Sequence, residues 1–451
     1  MCKRPAYGQQ LICRLFFKFE IPEEQKVEQN IRFGCIADDF TGASDAASFL
    51  VKGGANTLLF SGVPADDTMI PEGTDAVVIA LKTRTEETKK AVEESLHALQ
   101  WLISKNTMQF YVKYCSTFDS TPKGNIGPIC DAFLQMLDVS YTLLCPSLPV
   151  NKRTVQSGHL LVDQIPLNET HMRHHPLTPM WDSYLPNLMR GQSEYPCVVF
   201  DEAFMKGDRN TIFQEIDRLQ EMHERFYLIP EYQTDEDAKR IVELFGSLKL
   251  LTGGSGLMEE LGKKISGGFS SGSSADDHIG GKALMMAGSC SVATQAQVQH
   301  FLSGGGYGIM LSPSKLLSGE QTAAAVWEEI LRSGRNEVLV YSSGSYGERD
   351  SSEGANEAEA DVLERTMAEL AKRAVRGGFG RMIVAGGETS GAVTKALGYN
   401  AYRIGESIAP GVPVMTPLSA PDKRIVLKSG NFGQEDFFER TLLMTGVTQD
   451  E

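Results

Sequence analysis

The sequence predicts an α/β protein of two domains, each built on a mainly parallel sheet. Three observations carry this. The chain has 451 residues, more than one module at roughly 100–200 residues per domain. Short apolar runs alternate with amphipathic stretches, as strand–helix–strand units require. A Gly/Ser tract, SGGFSSGSSADD, divides that alternation in two. The expected plan is an N-terminal extension over 1–30, a first α/β domain over 31–265, a linker over 266–280 and a second α/β domain over 281–446.

The first domain opens on IRFGCIA (31–37), a buried strand that runs into Asp38-Asp39-Phe40-Thr41-Gly42. Residues 43–51 have helical spacing, and Gly53-Gly54 ends the helix. Further apolar runs fall at 57–60, 76–81, 110–114, 141–145 and 197–200, with amphipathic helices at 86–103 and 126–137. Parallel sheets bind ligands at the carboxyl ends of their strands. Asp38 and Asp39 fall at such an end, as do the residues after Leu81, Tyr114 and Cys145.

The second domain repeats the pattern. The strand 283–287 meets Gly288-Ser289-Cys290-Ser291, and a helix follows over 293–302. Strand 338–341 meets Ser342-Ser343-Gly344, strand 381–385 meets Gly386-Gly387-Glu388-Thr389-Ser390, and strand 425–428 meets Ser429-Gly430-Asn431-Phe432-Gly433. Glycine lets a backbone approach a ligand closely, and free N–H groups at a helix start favour phosphate. A phosphate-rich ligand is expected here.

Composition narrows the function. Lys+Arg is 43 and Asp+Glu is 58, a net charge of −15, whereas nucleic-acid binding needs a basic footprint. Eight cysteines are scattered with no C-x-x-C pair, so a reducing compartment and no zinc site are expected. No apolar run reaches the roughly 20 residues that span a bilayer. The extension carries Lys3, Arg4, Arg14 and Lys18 before its first acid, a weak likeness to a transit peptide that Pro5 and a lack of Ser argue against. No Walker A loop, dinucleotide fingerprint or protein-kinase motif occurs.

Five segments carry candidate chemistry. Asp38 and Asp39 are paired carboxylates that serve as a base, a metal ligand or a hydroxyl acceptor, with helix capping as the plain alternative for one of them. Lys82 and Arg84 follow a buried strand, where Arg clamps a carboxylate bidentately. The stretch 113–125, with Lys113, Ser116, Asp119 and Lys123, mixes hydroxyls with cations and an acid, suited to a polyhydroxylated anion. His171, His174 and His175 lie in a Pro-rich loop without matching metal ligands, which reads as a lid, a substrate contact or plain structure. Gly386-Gly387-Glu388-Thr389-Ser390 is the strongest phosphate cradle.

The motifs ADDFTGASDAASFLVKGG, YVKYCSTFDSTPKGNIGP, CPSLPVNKRTVQSGHL, MRHHPLTPMWDSYLP, VAGGETSGAV and LKSGNFG, in this order over 32–446, resemble the four-carbon acid sugar kinase family. The resemblance implies a substrate domain followed by a nucleotide domain, with an active-site cleft between them. It implies transfer of a phosphoryl group from ATP to the 4-hydroxyl of a 3-oxo-tetronate, with Mg²⁺ bridging the phosphates. It places ATP contacts at Ser289, Ser291, Gly386, Gly387, Glu388, Thr389, Ser390, Gly430 and Gly433, and substrate contacts at Asp38, Asp39, Arg84, Lys113, Ser116, Asp119 and Lys123. The catalytic candidates are Asp39 and Asp38, no dedicated protein metal site is expected, and Glu388 orients the Mg²⁺ directly or through water. Lys123 stands where many relatives carry Arg, which keeps the charge and loses the fork. The acidic stretch 344–361 departs from any pattern. The expected partners are a small sugar acid and ATP, without nucleic acid or membrane, in the cytoplasm, with a homo-oligomer allowed. Rival readings are a threonate or erythronate kinase, a sugar-acid sensor without catalysis, and an ATP-independent aldolase or dehydratase.

Overall fold

The computed structural model describes residues 30–175, 178–267, 278–289, 291–342, 353–430 and 432–446. The extension over 1–29, the middle of the linker, Cys290, Asn431 and the acidic stretch from 344 to 352 lie outside the described residues.

The first half contributes β1 (Phe33–Ala37), β2 (Thr57–Ser61), β3 (Ala76–Ala80), β4 (Gln109–Lys113), β5 (Tyr141–Leu143), β6 (Arg153–Gln156), β7 (His159–Val162), β8 (Ile165–Pro166), β9 (Cys197–Phe200), β10 (Phe226–Pro230) and β11 (Leu250–Gly253). The second contributes β12 (Lys282–Ala287), β13 (Gly308–Leu311), β14 (Glu337–Ser342), β15 (Phe379–Ala385), β16 (Ala401–Ala409), β17 (Val412–Pro417) and β18 (Arg424–Lys428). Every residue of β1, β3 and β15 is buried, as expected of parallel strands covered by helices on both faces.

Twelve strands form one sheet, in the order β11-β4-β1-β3-β2-β16-β17-β18-β15-β12-β14-β13. Strands of the first half are parallel to each other, and so are β18, β15, β12, β14 and β13. The β16–β17 hairpin joins them by antiparallel pairing, with Ala401, Tyr402 and Arg403 opposite Phe60, Leu59 and Leu58. An edge strand exposes unpaired N–H and C=O groups, and this pairing satisfies those of β2. The two halves therefore share a sheet, which the sequence pattern does not disclose.

Two further differences concern the first half. The runs at 141–145 and 197–200 leave the main sheet and join β10 in a three-stranded sheet, order β5-β10-β9. An apolar run states that a strand is buried, not which sheet holds it. The segment 153–166 forms a small antiparallel sheet. Its first turn puts Ser157 at φ 47° and Gly158 at φ 80°, and its second puts Asp163 at 53° and Gln164 at 66°. Such paired left-handed residues suit two-residue hairpins.

The helix Phe40–Lys52 links the halves. Asp39 caps it, Gly53 ends it, and its face packs on the β16–β17 hairpin and on the helix Met258–Ile265. One apolar cluster takes in Ala43 and Phe49 from the first half and Tyr402, Met415 and Leu284 from the second.

Candidate active site

The ends of β1, β3 and β4 carry the first cluster. These strands are neighbours in the order β4-β1-β3, with Ala37 opposite both Ala80 and Lys113. Residues remote in sequence thus leave the sheet side by side. Arg84 donates from Nε to Asp38 Oδ2 at 2.8 Å and from Nη2 to Asp38 Oδ1 at 2.9 Å. It also lies 3.1 Å from Asp39 Oδ1 and 3.5 Å from Asp119 Oδ2. Burial works against the guanidinium charge, yet Asp38 and Asp39 outweigh it and raise its proton affinity above the ordinary arginine value.

Asp39 caps the helix Phe40–Lys52, accepting from Gly42 N at 2.8 Å. A Cβ on Gly42 would lie 2.3 Å from Asp39 Oδ1 and 2.9 Å from Lys113 Nζ, so the glycine makes room for both groups. Lys113 is 3% exposed and donates to the Tyr114 carbonyl at 3.0 Å. Asp119 is reached through a strained turn, with Phe118 at φ 61° and Asp119 at φ 52°. It accepts from the Thr178 hydroxyl at 2.7 Å, and His175 Nδ1 lies 3.9 Å from it. A small cavity is lined by Asp38, Thr83, Arg84, Lys113, Asp119 and Asn125 among others.

These contacts alter the expected division of labour. Arg84, read as a clamp for a substrate carboxylate, is itself engaged by three carboxylates. Its first task is to neutralise Asp38, Asp39 and Asp119 and hold them together. Lys123 is exposed and does not line the cavity, and neither does Ser116. The reason is a turn: Gly124 N bonds the Thr121 carbonyl, and Lys123 N bonds Thr121 Oγ1. The His171–His174 turn and His175 tie the Thr178 segment to Asp119, and among the described residues no three His, Cys, Asp or Glu side chains gather as a metal site.

Across the sheet, β12, β15 and β18 are neighbours and their ends carry the second cluster. Gly288, Ser289, Gly386 and Gly430 meet there. A Cβ on Gly288 would lie 2.1 Å from Thr389 Oγ1, and one on Gly430 would lie 2.5 Å from Ser289 Oγ. Gly386 has φ 131° and heads the helix Gly387–Leu397 without a side-chain cap. An uncapped helix start leaves N–H groups for an anion. The Ser390 hydroxyl is buried with no hydrogen-bond partner. Glu388 and Gly387 are exposed. Ser291 caps the helix Val292–Ser303 and donates to the Gly430 carbonyl at 2.7 Å. Gly433 has φ 83° and lies against Phe437.

Lys428, at the end of β18, has no role in the sequence reading. It is 1% exposed, and burial pushes its ammonium down to about 7. Its one sequence signal is a lysine closing an apolar strand just before a Gly/Ser turn.

The two halves influence each other electrostatically near these strand ends. The Glu364 carboxyl is pushed up by burial and then by Glu388 and Asp361, while Lys82 pulls it down. Lys82 leaves the first-half sheet two residues before Arg84, so a first-half cation sits in the field of second-half acids.

Comparison with known proteins gives these halves a context. A family described as "Sugar-binding N-terminal domain" matches residues 33–261, and one described as "Nucleotide-binding C-terminal domain" matches residues 284–438. A Pectobacterium atrosepticum protein named 3-oxo-tetronate kinase is 40% identical over 421 residues, 91% of this chain and 98% of that one. The chain belongs to the four-carbon acid sugar kinase family. Another relative in this kinase family, from Salmonella typhimurium and also named 3-oxo-tetronate kinase, is 41% identical over 428 residues, 91% of this chain and 98% of its own. A crystal structure of a Salmonella typhimurium LT2 protein shares the fold at TM-score 0.83 and 40% identity, covering 91% of this chain and 98% of that one. The kinase family assigns sugar binding to the half with the Arg84 cluster and nucleotide binding to the half with the glycine-lined strand ends.

Proposed function

We propose that this chain phosphorylates the 4-hydroxyl of 3-oxo-tetronate with ATP, giving 3-oxo-tetronate 4-phosphate. The observation that carries the reading is the placement of an Asp38–Arg84–Asp119 cluster and a Gly/Ser phosphate cradle at the strand ends of one continuous sheet. The relatives named 3-oxo-tetronate kinase supply the substrate identity.

Phosphoryl transfer needs positioning and charge neutralisation more than covalent chemistry. Lys113, with the one Arg84 N–H left over from its carboxylates, holds the sugar-acid carboxylate. Asp119 accepts from a substrate hydroxyl. Asp39, the more exposed of the adjacent pair at 33% against 12% for the Asp38 side chain, orients the 4-hydroxyl and takes its proton. Gly386, Gly387, Thr389, Ser390, Ser289, Ser291, Gly430 and Gly433 line the triphosphate. Mg²⁺ is held mostly by phosphate oxygens and water with one or two carboxylates, and the exposed Glu388 beside the cradle fits that need. When bound, the ion neutralises charge on the transferring group. Closure of the cleft excludes water.

No helix among the described residues is long and apolar enough to cross a membrane. Dependence on an intracellular ATP pool supports a cytoplasmic reaction. The deciding experiment is product mass with ATP and 3-oxo-tetronate, threonate or erythronate. Gain of one phosphoryl group with the keto acid alone supports the reading. Equal rates on the reduced acids would turn the assignment to a threonate or erythronate kinase, and turnover without ATP would end the kinase reading.

A further inference from the structure

Lys428 donates from Nζ to Thr294 Oγ1 at 3.0 Å, to the Ser429 carbonyl at 3.2 Å and to the Gly430 carbonyl at 3.0 Å. An ammonium has three donors, and these contacts use them all on neutral oxygens. The Phe437 ring lies 5.5 Å from the same nitrogen. Among the described residues no carboxylate stands within ion-pair distance of it. Charged groups on the surrounding elements are occupied elsewhere: His300 Nε2 is 3.9 Å from Glu439 Oε1, Arg381 bonds the Leu442 and Gly281 carbonyls, and Arg424 bonds those of Pro421 and Lys423. A buried charge without an acid is costly and calls for a purpose.

The contacts of the next residues supply one. The Gly430 carbonyl also accepts from Ser291 Oγ at 2.7 Å and Thr294 Oγ1 at 2.9 Å. Gln297 Nε2 donates to the carbonyls of Phe432, Gly433 and Gln434 at 3.0–3.1 Å. The carbonyls of Ser429, Gly430, Phe432, Gly433 and Gln434 are thus turned into the protein by fixed donors. In a trans peptide the N–H points opposite to the C=O. The N–H groups of Gly433 and Gln434 therefore point away from the Gln297 amide, toward the side an anion would approach.

We infer that Lys428 is a positioning residue for the nucleotide phosphates: it holds the Ser429 and Gly430 carbonyls inward, turns the Gly430 N–H outward beside those of Gly433 and Gln434, and places a buried positive charge beneath them. This deepens the kinase reading and rests on it. Phosphate oxygens above the loop favour the charged form of a lysine that burial holds near 7, so nucleotide binding above that pH draws a proton onto Lys428.

The test is calorimetric titration of the full-length protein with ADP at pH 8 in two buffers of different ionisation enthalpy, with steady-state kinetics alongside. Wild type should take up close to one proton per ADP. Lys428→Met should take up none, bind ADP at least about 10-fold more weakly and raise the KM for ATP while leaving that for the sugar acid unchanged. Lys428→Arg, which stays charged, should restore affinity in part without proton uptake. Equal ADP affinity in wild type and Lys428→Met, or proton uptake that survives the substitution, overturns the inference. If Lys428→Met fails to fold, Thr294→Val decides: ADP affinity lowered about threefold or more supports the role, and unchanged affinity rejects it. Wild type that binds no ADP would sink the kinase reading itself.

Discussion

Arg84 balances three acids with one guanidinium, and its geometry, more than its charge, does this. Nε and Nη2 face Asp38 as a fork, while Nη2 also reaches Asp39 and Nη1 reaches Asp119. Lysine keeps one charge and loses the fork. Arg84→Lys should therefore lower kcat/KM by about 100-fold or more in a coupled ADP assay, since small misplacement of reacting groups costs that much. Asp39 has two duties, cap and proposed base, and asparagine separates them. Asn caps a helix about as well as Asp. Asp39→Asn should leave the unfolding midpoint unchanged and cut turnover by about 10²–10⁴, the usual share of a general base; near-wild-type turnover would remove Asp39 from that role. Lys428 gives a stability signature. Its folded-state value of about 7 lies below the ordinary 10.5, so the unfolded chain holds the proton more tightly. The resulting cost is full below about pH 7 and fades toward 10.5. The difference in unfolding free energy between wild type and Lys428→Met should shift in favour of wild type as pH rises through that window, as denaturant titrations at pH 6, 8 and 10 would show.

At the scale of elements, the loops at strand ends are set by close approach. Gly386 has φ 131°, and a Cβ there would lie 3.1 Å from Ser289 N. Gly386→Ala should cost about 1–3 kcal/mol from backbone strain and raise the KM for ATP, with the sugar-acid KM unmoved. The turn between β16 and β17 makes a second such contact. Gly411 has φ 78°, and a Cβ would lie 2.2 Å from Asp45 Oδ1. Asp45 is buried, accepts from the Ser255 hydroxyl, leaves Oδ1 without a partner, and has its proton affinity raised by burial. The helix that begins at the Asp38-Asp39 pair is thereby seated on the second half. These element contacts show why the site was only partly legible. Asp38, Arg84, Lys113 and Asp119 announced themselves as charges at strand ends. The capping by Asp39 was foreseen as an alternative. Lys123 shares their charge and motif, and only the turn at residues 121–124 separates it from them.

At the scale of the whole molecule, both halves contribute strands to one twelve-stranded sheet and side chains to a shared apolar cluster. A Gly/Ser linker by itself suggests halves that fold apart, whereas β2–β16 pairing commits backbone groups of both to one ladder. Heat unfolding followed by calorimetry should show a single transition, with calorimetric and van't Hoff enthalpies in agreement. Two separated transitions would mean that the junction contributes little. The same continuity puts the Arg84 cluster and the glycine-lined strand ends of the second half on one sheet.

By itself the sequence determined the fold class, the strand ends that carry charged and glycine-rich motifs, and the family, because these are written in local patterns: buried runs, turn glycines and long contiguous motifs. Only the tertiary structure decided which strands share a sheet, that Arg84 serves its own carboxylates first, that Lys123 faces outward and that Lys428 lies beneath the loop. Those outcomes turn on pairing, packing and burial between residues far apart in the chain, and the free energy of such contacts has no imprint in any short stretch of sequence.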